Sequence, residues 1–376
     1  MASAAEDQQQ QAQRGRAEAR HGLAYDGAGR RTRFGSAGCM TTRAQNAVGA
    51  TGARGYITPL PMLWPDGKRF AFTVFDDTDR ATLDNVREVY ALLADLGMRT
   101  TKSVWPIAGP KEPTIPGSTC EDEAYRDWTL ELQRQGFEIG YHNATFHGVE
   151  RVDTERALDR FAEIYGHAPR AAANHADNDE ALYWGEARLG GLNRLAYRAM
   201  HGGTPRLTYG HVESDPRFWG DLCRERIRYF RNFVFDEIDT LAVCPLMPYH
   251  DPSRPYVNLW FASAEGATAD SFVSTISERN QDRLEEQGGA CIMYTHFGKG
   301  FQDGSRIHPR FEQLMRRLAD KGGWYVPTSD LLDHLLARRG RRVISAAQRR
   351  ALERKWLLSR VGSRLSAKVV SQLSGS

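Results

Sequence analysis

Apolar and polar positions along the chain alternate between a strand pattern and a helix pattern. Residues 70–75 form an almost unbroken apolar and β-branched run, which is typical of a strand buried on both faces. Apolar residues then recur at helical spacing from Leu83 to Leu93, and Gly97 suits a helix end. The same alternation predicts strands over 100–105, 137–141, 171–174 and 290–294, and helices over 125–135, 154–165 and 269–286. Strands that alternate with helices indicate a parallel sheet covered by helices.

The middle of the chain has a less regular pattern. Between residues 178 and 270 aromatic residues, arginines and prolines follow no single period, and we expect a helix over 180–187 and strands over 229–235 and 240–246. A last strand and helix follow, over 324–327 and up to about residue 336.

The two ends differ from the rest in composition. Residues 1–54 contain few large apolar side chains, so we expect them to be disordered, with a single barrel over 55–338. Residues 339–376 form a basic helical tail in which Leu352, Trp356 and Leu357 interrupt the arginines. Such a helix can weakly contact an anionic membrane surface, or it can pack as a solvated helix on the barrel. Both alternatives stay open.

Charge and cysteine content exclude several classes of protein. A formal net charge of +3 over 376 residues gives no reason to expect nucleic acid as a specific partner. The five cysteines are scattered, without a C-x-x-C pair, so neither a disulfide framework nor a thiolate zinc site is indicated. The sequence has no apolar leader and no apolar run near the roughly 18 residues of a membrane span, so we expect a cytoplasmic protein.

Metal-binding side chains follow three of the predicted strands. Asp76 and Asp77 follow the first, His142 and His147 the third, and His296 the strand over 290–294. In a parallel β/α barrel the carboxyl ends of all strands open on one face, so these residues are predicted to share a site. Taken singly, each is a weak signal, because an acid pair often caps a helix and a lone histidine is often structural. Carboxylates and imidazoles together suit zinc first, with nickel, cobalt or iron as alternatives.

These segments resemble the motifs of the polysaccharide deacetylase-like (NodB-homology) family over residues 70–336. The family's Thr-Phe-Asp-Asp-Gly motif is similar to Val-Phe-Asp-Asp-Thr at 74–78, its His-Ser/Thr-x-x-His motif to residues 142–147, and its Leu-x-Ile-x-x-His motif to residues 291–296. The resemblance implies a distorted (β/α)7 barrel that removes acetyl groups from N-acetylated sugars with a divalent metal. It also implies roles for five residues: general base for Asp76, metal ligand for Asp77, His142 and His147, and general acid for His296.

The chain departs from these motifs at three places. Thr78 and Asp79 stand where the family has Gly and its successor, and the histidine motif is one residue longer. The family's Arg-Pro-Pro is replaced by Arg-Ala-Ala at 170–172, so the arginine that orients the base is displaced or missing. Asp79, His175 and Asn178 are candidate substrate contacts near the same face, although loop hydrogen bonding explains His175 and Asn178 equally well.

Metal-assisted hydrolysis of an N-acetylated sugar or a related glycan precursor is the function that these residues favour. Two alternatives stay open. One is a catalytically silent barrel that binds a glycan or a protein partner, and the other is a metal-dependent hydrolase of a non-sugar amide.

Overall fold

Seven parallel strands form a closed barrel in the computed structural model, which describes residues 64–203 and 206–373, with side chains as far as residue 360. The predicted disorder of residues 1–54 lies outside this part of the chain. The strands are β1 (Ala71–Asp76), β2 (Thr101–Val104), β3 (Glu138–Tyr141), β4 (Ala171–Ala172), β5 (Tyr229–Phe235), β6 (Tyr249–His250), β7 (Leu259–Ala264), β8 (Ala290–Thr295), β9 (Gln302–Asp303), β10 (Arg306–Ile307), β11 (Trp324–Tyr325) and β12 (Arg342–Val343).

The order of strands around the barrel is β1, β2, β3, β4, β5, β7 and β8, with every neighbouring pair parallel. Strand β8 closes the ring by pairing with β1 from Ala71 opposite Ala290 to Asp76 opposite Thr295. Strands β11, β6 and β12 extend the sheet outside the ring, and β9 pairs with β10 as a separate antiparallel ribbon.

Helices connect the strands, as a parallel barrel requires. They are α1 (Leu83–Asp95), α2 (Glu123–Arg134), α3 (Arg151–Tyr165), α4 (Gly191–Met200), α5 (Gly220–Arg226), α6 (Thr240–Val243), α7 (Ala269–Thr275), α8 (Glu278–Gln287), α9 (Pro309–Asp320), α10 (Thr328–Arg339) and α11 (Ala346–Leu373). The predicted (β/α)7 barrel is confirmed.

Strand β1 shows why the predicted strands pack as they do. All six of its residues are buried, because β2 and β8 flank it in the barrel wall and helices cover the outside. The next helix, α1, begins after Thr82 in a capping box with Asn85 and ends just before Gly97, whose φ of +69° is left-handed. The first β/α unit therefore agrees with its sequence pattern.

The predictions for the middle region are partly wrong. The segment predicted as a strand over 240–246 contains α6, because the Asp239 carboxylate caps it by accepting hydrogen bonds from the amides of Leu241 and Ala242. Strand β7 was not predicted, and the predicted helix over 269–286 is two helices, α7 and α8. The predicted helix over 180–187 is only a 3-10 turn, Gly185–Arg188.

The basic tail is helical and packs on the barrel. Leu352, Trp356 and Leu357 of α11 are buried, and the ring centroid of Trp356 lies 5.3 Å from that of Phe233 in β5. The apolar residues that could have inserted into a membrane surface are thus used in packing. Within the described residues, no helix combines the length and apolarity needed to span a membrane.

Candidate metal centre

Polar side chains converge at the carboxyl ends of the barrel strands. This end of a parallel β/α barrel collects residues that are far apart in sequence. The residues brought together are Asp77 and Asp79 after β1, His142 after β3, His175 after β4, Arg231 within β5 and His296 after β8.

The Asp79 carboxylate lies at the centre of three imidazole rings. Its Oδ2 is 3.0 Å from His142 Nε2 and 3.5 Å from His296 Nε2, and its Oδ1 is 3.2 Å from His175 Nε2. Asp79 and these histidines are all buried. Three rings that direct the same nitrogen at one buried carboxylate form an unusual arrangement.

The other nitrogen of each ring defines the tautomer. His142 Nδ1 lies 3.1 Å from the carbonyl oxygen of Ala173, and His296 Nδ1 lies 2.9 Å from that of Ala267. A carbonyl oxygen only accepts hydrogen bonds, so each Nδ1 carries a proton and, in the neutral ring, Nε2 carries a lone pair.

His175 is held in the same tautomer by Asn178. The Asn178 Nδ2 donates to Thr145 O and to Glu180 Oε1, so its Oδ1 is the atom that accepts from His175 Nδ1 at 2.9 Å. His175 Nε2 is buried and lacks a well-aligned hydrogen bond, although Asp79 is close. In the neutral ring this nitrogen has a lone pair directed at a carboxylate; burial acts to lower the pKa of His175, but the contact with Asp79 outweighs it and raises that pKa.

Lone pairs that face a carboxylate repel it unless a cation lies between them, and the donor set fits a divalent metal ion. Asp77, Asp79 and His142 offer ligand atoms that all lie within 4.8 Å of one another. Burial acts to raise the pKa of Asp79, but in the metal-free site protons on the facing nitrogens of His142 and His175 outweigh it and hold that pKa well below its usual range, and a metal ion would replace those protons. Ionised carboxylate and Nε2 imidazole are ordinary ligands of zinc and similar ions.

Asp77 has a partner that the sequence did not suggest. Both of its oxygens accept hydrogen bonds from the Arg231 guanidinium, at 2.8 Å from Nη1 and 2.5 Å from Nη2. Burial acts to raise the pKa of Asp77, and Arg231 and His142 overcome that effect and lower it. The arginine expected after Pro169 is thus replaced at this site by one from β5, whereas Arg170 pairs with Asp330 and Asp333.

Asp76, the expected general base, does not face the site. Its Oδ2 lies 2.9 Å from Lys102 Nζ and accepts a hydrogen bond from the Tyr90 hydroxyl, and its Oδ1 accepts one from the Phe297 amide. The carboxylate is fully buried and all its partners belong to the protein. This placement does not support the role that the resemblance implied.

His147, the expected third ligand, lies outside the group. The chain turns at Asn143, whose φ of +63° is left-handed, and the His147 ring then contacts Gly148 O through Nδ1 and the Lys111 amide through Nε2. The structure therefore brings His142 to the centre without His147, and His175 lies beside it instead.

Asn178, a candidate substrate contact, has a supporting position. It is buried, and its side chain forms hydrogen bonds with His175, Thr145 and Glu180. Glu180 is also buried, and burial raises its pKa to about 7 against the opposing hydrogen bonds. Asn178 orients the ring of His175, so its contact with the site is indirect.

A cavity of about 310 Å³ opens beside these residues, with Asp77, Asp79, His142 and His296 in its wall. That volume is at the lower end of the range for small-molecule sites. His296 Nε2 also lies 3.3 Å from the Tyr294 hydroxyl, and burial lowers the His296 pKa.

Arg231 and the central position of Asp79 were missed from the sequence. A signal for Arg231 existed, because it is the one charged residue of a predicted strand that is apolar apart from Asn232, and a buried charge requires an acid as partner. Asp79 was noticed only as an additional acid after the motif.

Comparison with solved structures gives matches of low identity. They include a protein from Mycobacterium smegmatis assigned as a polysaccharide deacetylase, with 14% identity, TM-score 0.43, and coverage of 76% of this chain and 96% of that chain. For PuuE allantoinase the identity is 11%, the TM-score is 0.43, and the match covers 75% of this chain and 95% of that chain. A family 4 acetyl xylan esterase from Clostridium thermocellum in complex with a cobalt ion matches with 12% identity and a TM-score of 0.36, over 74% of this chain and 98% of that chain.

Polysaccharide deacetylases, the class that the sequence motifs resemble, are thus among the matching structures. At these identities and TM-scores the likeness carries no statement about the substrate or mechanism of this chain. Comparison with protein-family models found no match, and comparison with curated protein sequences found none.

Proposed function

We propose that this chain is a divalent-metal-dependent hydrolase that removes an acyl group from an N-acylated substrate, with an N-acetylated sugar or a related glycan precursor as the substrate class. The observation that carries the proposal is the orientation of three buried histidines, each with Nδ1 committed to an acceptor and Nε2 directed at Asp79. The choice of substrate rests on the motif resemblance over residues 70–336.

The ligands in this proposal are Asp79, His142 and His175. Asp77 is near enough to contribute, but the Arg231 guanidinium already occupies both of its oxygens, and a second cation on the same carboxylate would be repelled by it. The proposed metal set is therefore shifted along the chain from the expected Asp77, His142 and His147. Zinc is the first candidate, with nickel, cobalt or iron as alternatives, because these donors do not separate the ions firmly.

When bound, the divalent ion supplies Lewis-acid polarisation of the acyl carbonyl and lowers the pKa of water. Asp77 is proposed as the general base, because it lies in the cavity wall and Arg231 keeps it ionised and fixed in direction. His296 is proposed as the general acid: its Nε2, the nitrogen not committed to the Ala267 carbonyl, would first take up the proton that Asp77 removes from water and then give it to the leaving amine.

The test is metal analysis of the purified full-length chain together with acetate release from a panel of N-acetylated sugars, sugar nucleotides and simple amides. We expect one divalent ion per chain and acetate release that stops on chelation and returns on adding zinc or cobalt. A chain without bound metal and without affinity on titration would favour the catalytically silent barrel. Release from simple amides alone would favour a non-sugar amide as substrate.

A further inference from the structure

Arg188 is a buried arginine without an acidic partner. Three arginines in the described part of the chain are buried; Arg231 pairs with Asp77, and Arg254 pairs with Asp251 and Glu353. Arg188 is only 8% exposed, and no carboxylate of the described residues lies within ion-pair distance of it. A desolvated charge without a counter-ion is costly, so its presence requires an explanation.

The Arg188 side chain belongs to the wall of the same cavity as the candidate metal centre. Its guanidinium lies 3.8 Å from the ring centroid of Trp184 and 4.7 Å from that of Trp356. One hydrogen bond, from Nη1 to the carbonyl oxygen of Asn232, is 3.3 Å long, and Nε has no partner. The two indole rings pack against the guanidinium through cation–π contacts, and its Nε–H donor is left without an acceptor.

Arg188 is a cationic side chain of this cavity that no carboxylate of the described residues matches. Arg231 is matched by Asp77 and Arg360 by Glu265 at 3.3 Å, whereas the Asp79 carboxylate is a ligand of the proposed divalent ion. Burial, with a contribution from the nearby Arg360 and Arg231, lowers the Arg188 pKa to about 10 against the opposing effect of the Tyr197 hydroxyl, and no carboxylate is among the groups that act on it.

We propose that Arg188 forms an anion subsite of the cavity, which binds a carboxylate or phosphate group on the substrate while the acyl group lies at the metal centre. A guanidinium presents parallel N–H donors that match either group, and stacking on Trp184 and Trp356 fixes its plane in advance. This inference rests on the proposed function, because it takes the cavity to be the substrate site. It narrows the substrate class to small anionic N-acyl compounds.

Binding of three matched sugars to the zinc-loaded full-length protein tests the inference by calorimetric titration. The probes are neutral N-acetylglucosamine, N-acetylglucosamine 1-phosphate and N-acetylmuramic acid. We expect at least one anionic sugar to bind more tightly than the neutral one, and Arg188→Met to weaken its binding by about 10- to 100-fold while leaving the neutral sugar unchanged. The preferred anionic probe identifies phosphate or carboxylate as the group.

Arg306→Met serves as the control, because Arg306 is an exposed arginine in β10 outside this cavity, and its Kd values should equal those of the wild type. Equal wild-type affinity for all three sugars, or anionic binding that survives Arg188→Met, overturns the inference. A second readout is thermal unfolding of the metal-loaded protein. Because Arg188→Met removes an unpaired buried charge, the Tm should be equal or higher, and a Tm lower by several degrees would instead make Arg188 structural and overturn the inference.

Acetate release from the same probes separates this inference from the proposed function. If no probe is deacetylated but anionic binding depends on Arg188, the anion subsite stands and the proposed function fails. If neutral and anionic sugars are deacetylated with equal KM, the proposed function stands and the anion subsite fails.

Discussion

Asp76 and Asp77 are neighbours in the chain, and both are buried, but they lie in two different environments. Asp76 is directed into the barrel wall, where Lys102, Tyr90 and the Phe297 amide satisfy its oxygens. Asp77 is directed into the cavity beside Asp79, where the buried Nε2 of His175 has no hydrogen-bond partner. Burial is thus equal in the two regions, and what separates them is whether the protein itself satisfies each polar atom.

We infer from this comparison that the Asp76 region stabilises the fold and that the Asp77 and Asp79 region binds ligands and carries out the proposed reaction. A buried carboxylate whose two oxygens are both satisfied by protein groups has nothing left to offer a ligand. A buried group of donors without partners costs stability, and binding of a cation or substrate recovers it. The following substitutions are ways to break or sharpen that distinction.

The largest effect is expected from Asp77→Asn. It removes the proposed base while leaving the ligands Asp79, His142 and His175, so activity should fall by roughly 10² to 10⁴ with metal content near wild type. Steady-state kinetics on the best substrate, together with metal analysis, provides the measurement. Loss of the metal in this variant would make Asp77 a ligand.

Lys102→Met tests the structural region. It leaves the Asp76 carboxylate buried without its counter-ion, so the free energy of unfolding should fall by about 3–5 kcal/mol, measured in urea. The double variant Lys102→Met with Asp76→Asn is the matched control, and it should recover much of the loss because no charge stays unpaired. A single variant as stable as wild type would contradict the account of this pair.

Asn178→Ala tests whether the tautomer of His175 matters to the metal. The substitution removes the acceptor of the Nδ1 proton, so metal affinity should fall by roughly 10- to 100-fold, as is usual for groups that orient a ligand. Asn258→Ala is a suitable control, because Asn258 Nδ2 also donates two hydrogen bonds, to the carbonyl oxygens of Arg224 and Ile227, but lies in the loop before β7. Equal metal affinity in the two variants would count against His175 as a ligand.

Among these variants Arg231→Met should have the smallest effect on activity at optimal pH and change mainly the pH profile, although it also loses stability because Asp77 is left buried without its counter-ion. Burial raises the Asp77 pKa and Arg231 lowers it, so without the guanidinium this pKa rises and the base is protonated over a wider range. The acid limb of kcat/KM should therefore move to higher pH. If the acid limb of kcat/KM does not move, Arg231 does not control the pKa of the base.

The sequence predicted much of the fold because the barrel strands have strong apolar patterns. Strands β1, β5 and β8 were located closely, and the position of their carboxyl ends then predicted a shared site. Strand β7 was missed because it lies in the aromatic region where no period stands out, and α6 was mistaken for a strand because its capping by Asp239 depends on local hydrogen bonds.

Within the site, side-chain alternation explains a separation of Asp76 from Asp77 that the sequence analysis did not anticipate. Successive side chains in extended chain point to opposite sides, so Asp76 and Asp77 could not easily share one ion, whereas residues two apart, such as Asp77 and Asp79, can. The exclusion of His147 depends on the left-handed backbone at Asn143, which spacing does not reveal. Arg231 is distant in sequence and becomes a partner of Asp77 only through closure of the barrel.

The central claim is that Asp79, with His142 and His175, holds a divalent ion and that Asp76 does not. The most direct measurement is the zinc stoichiometry and affinity of Asp79→Asn beside wild type and Asp76→Asn, each first shown to be folded by circular dichroism. We predict one zinc ion per chain in wild type and in folded Asp76→Asn, and loss of stoichiometric binding in Asp79→Asn. Zinc retained by Asp79→Asn and lost by Asp76→Asn would contradict the claim.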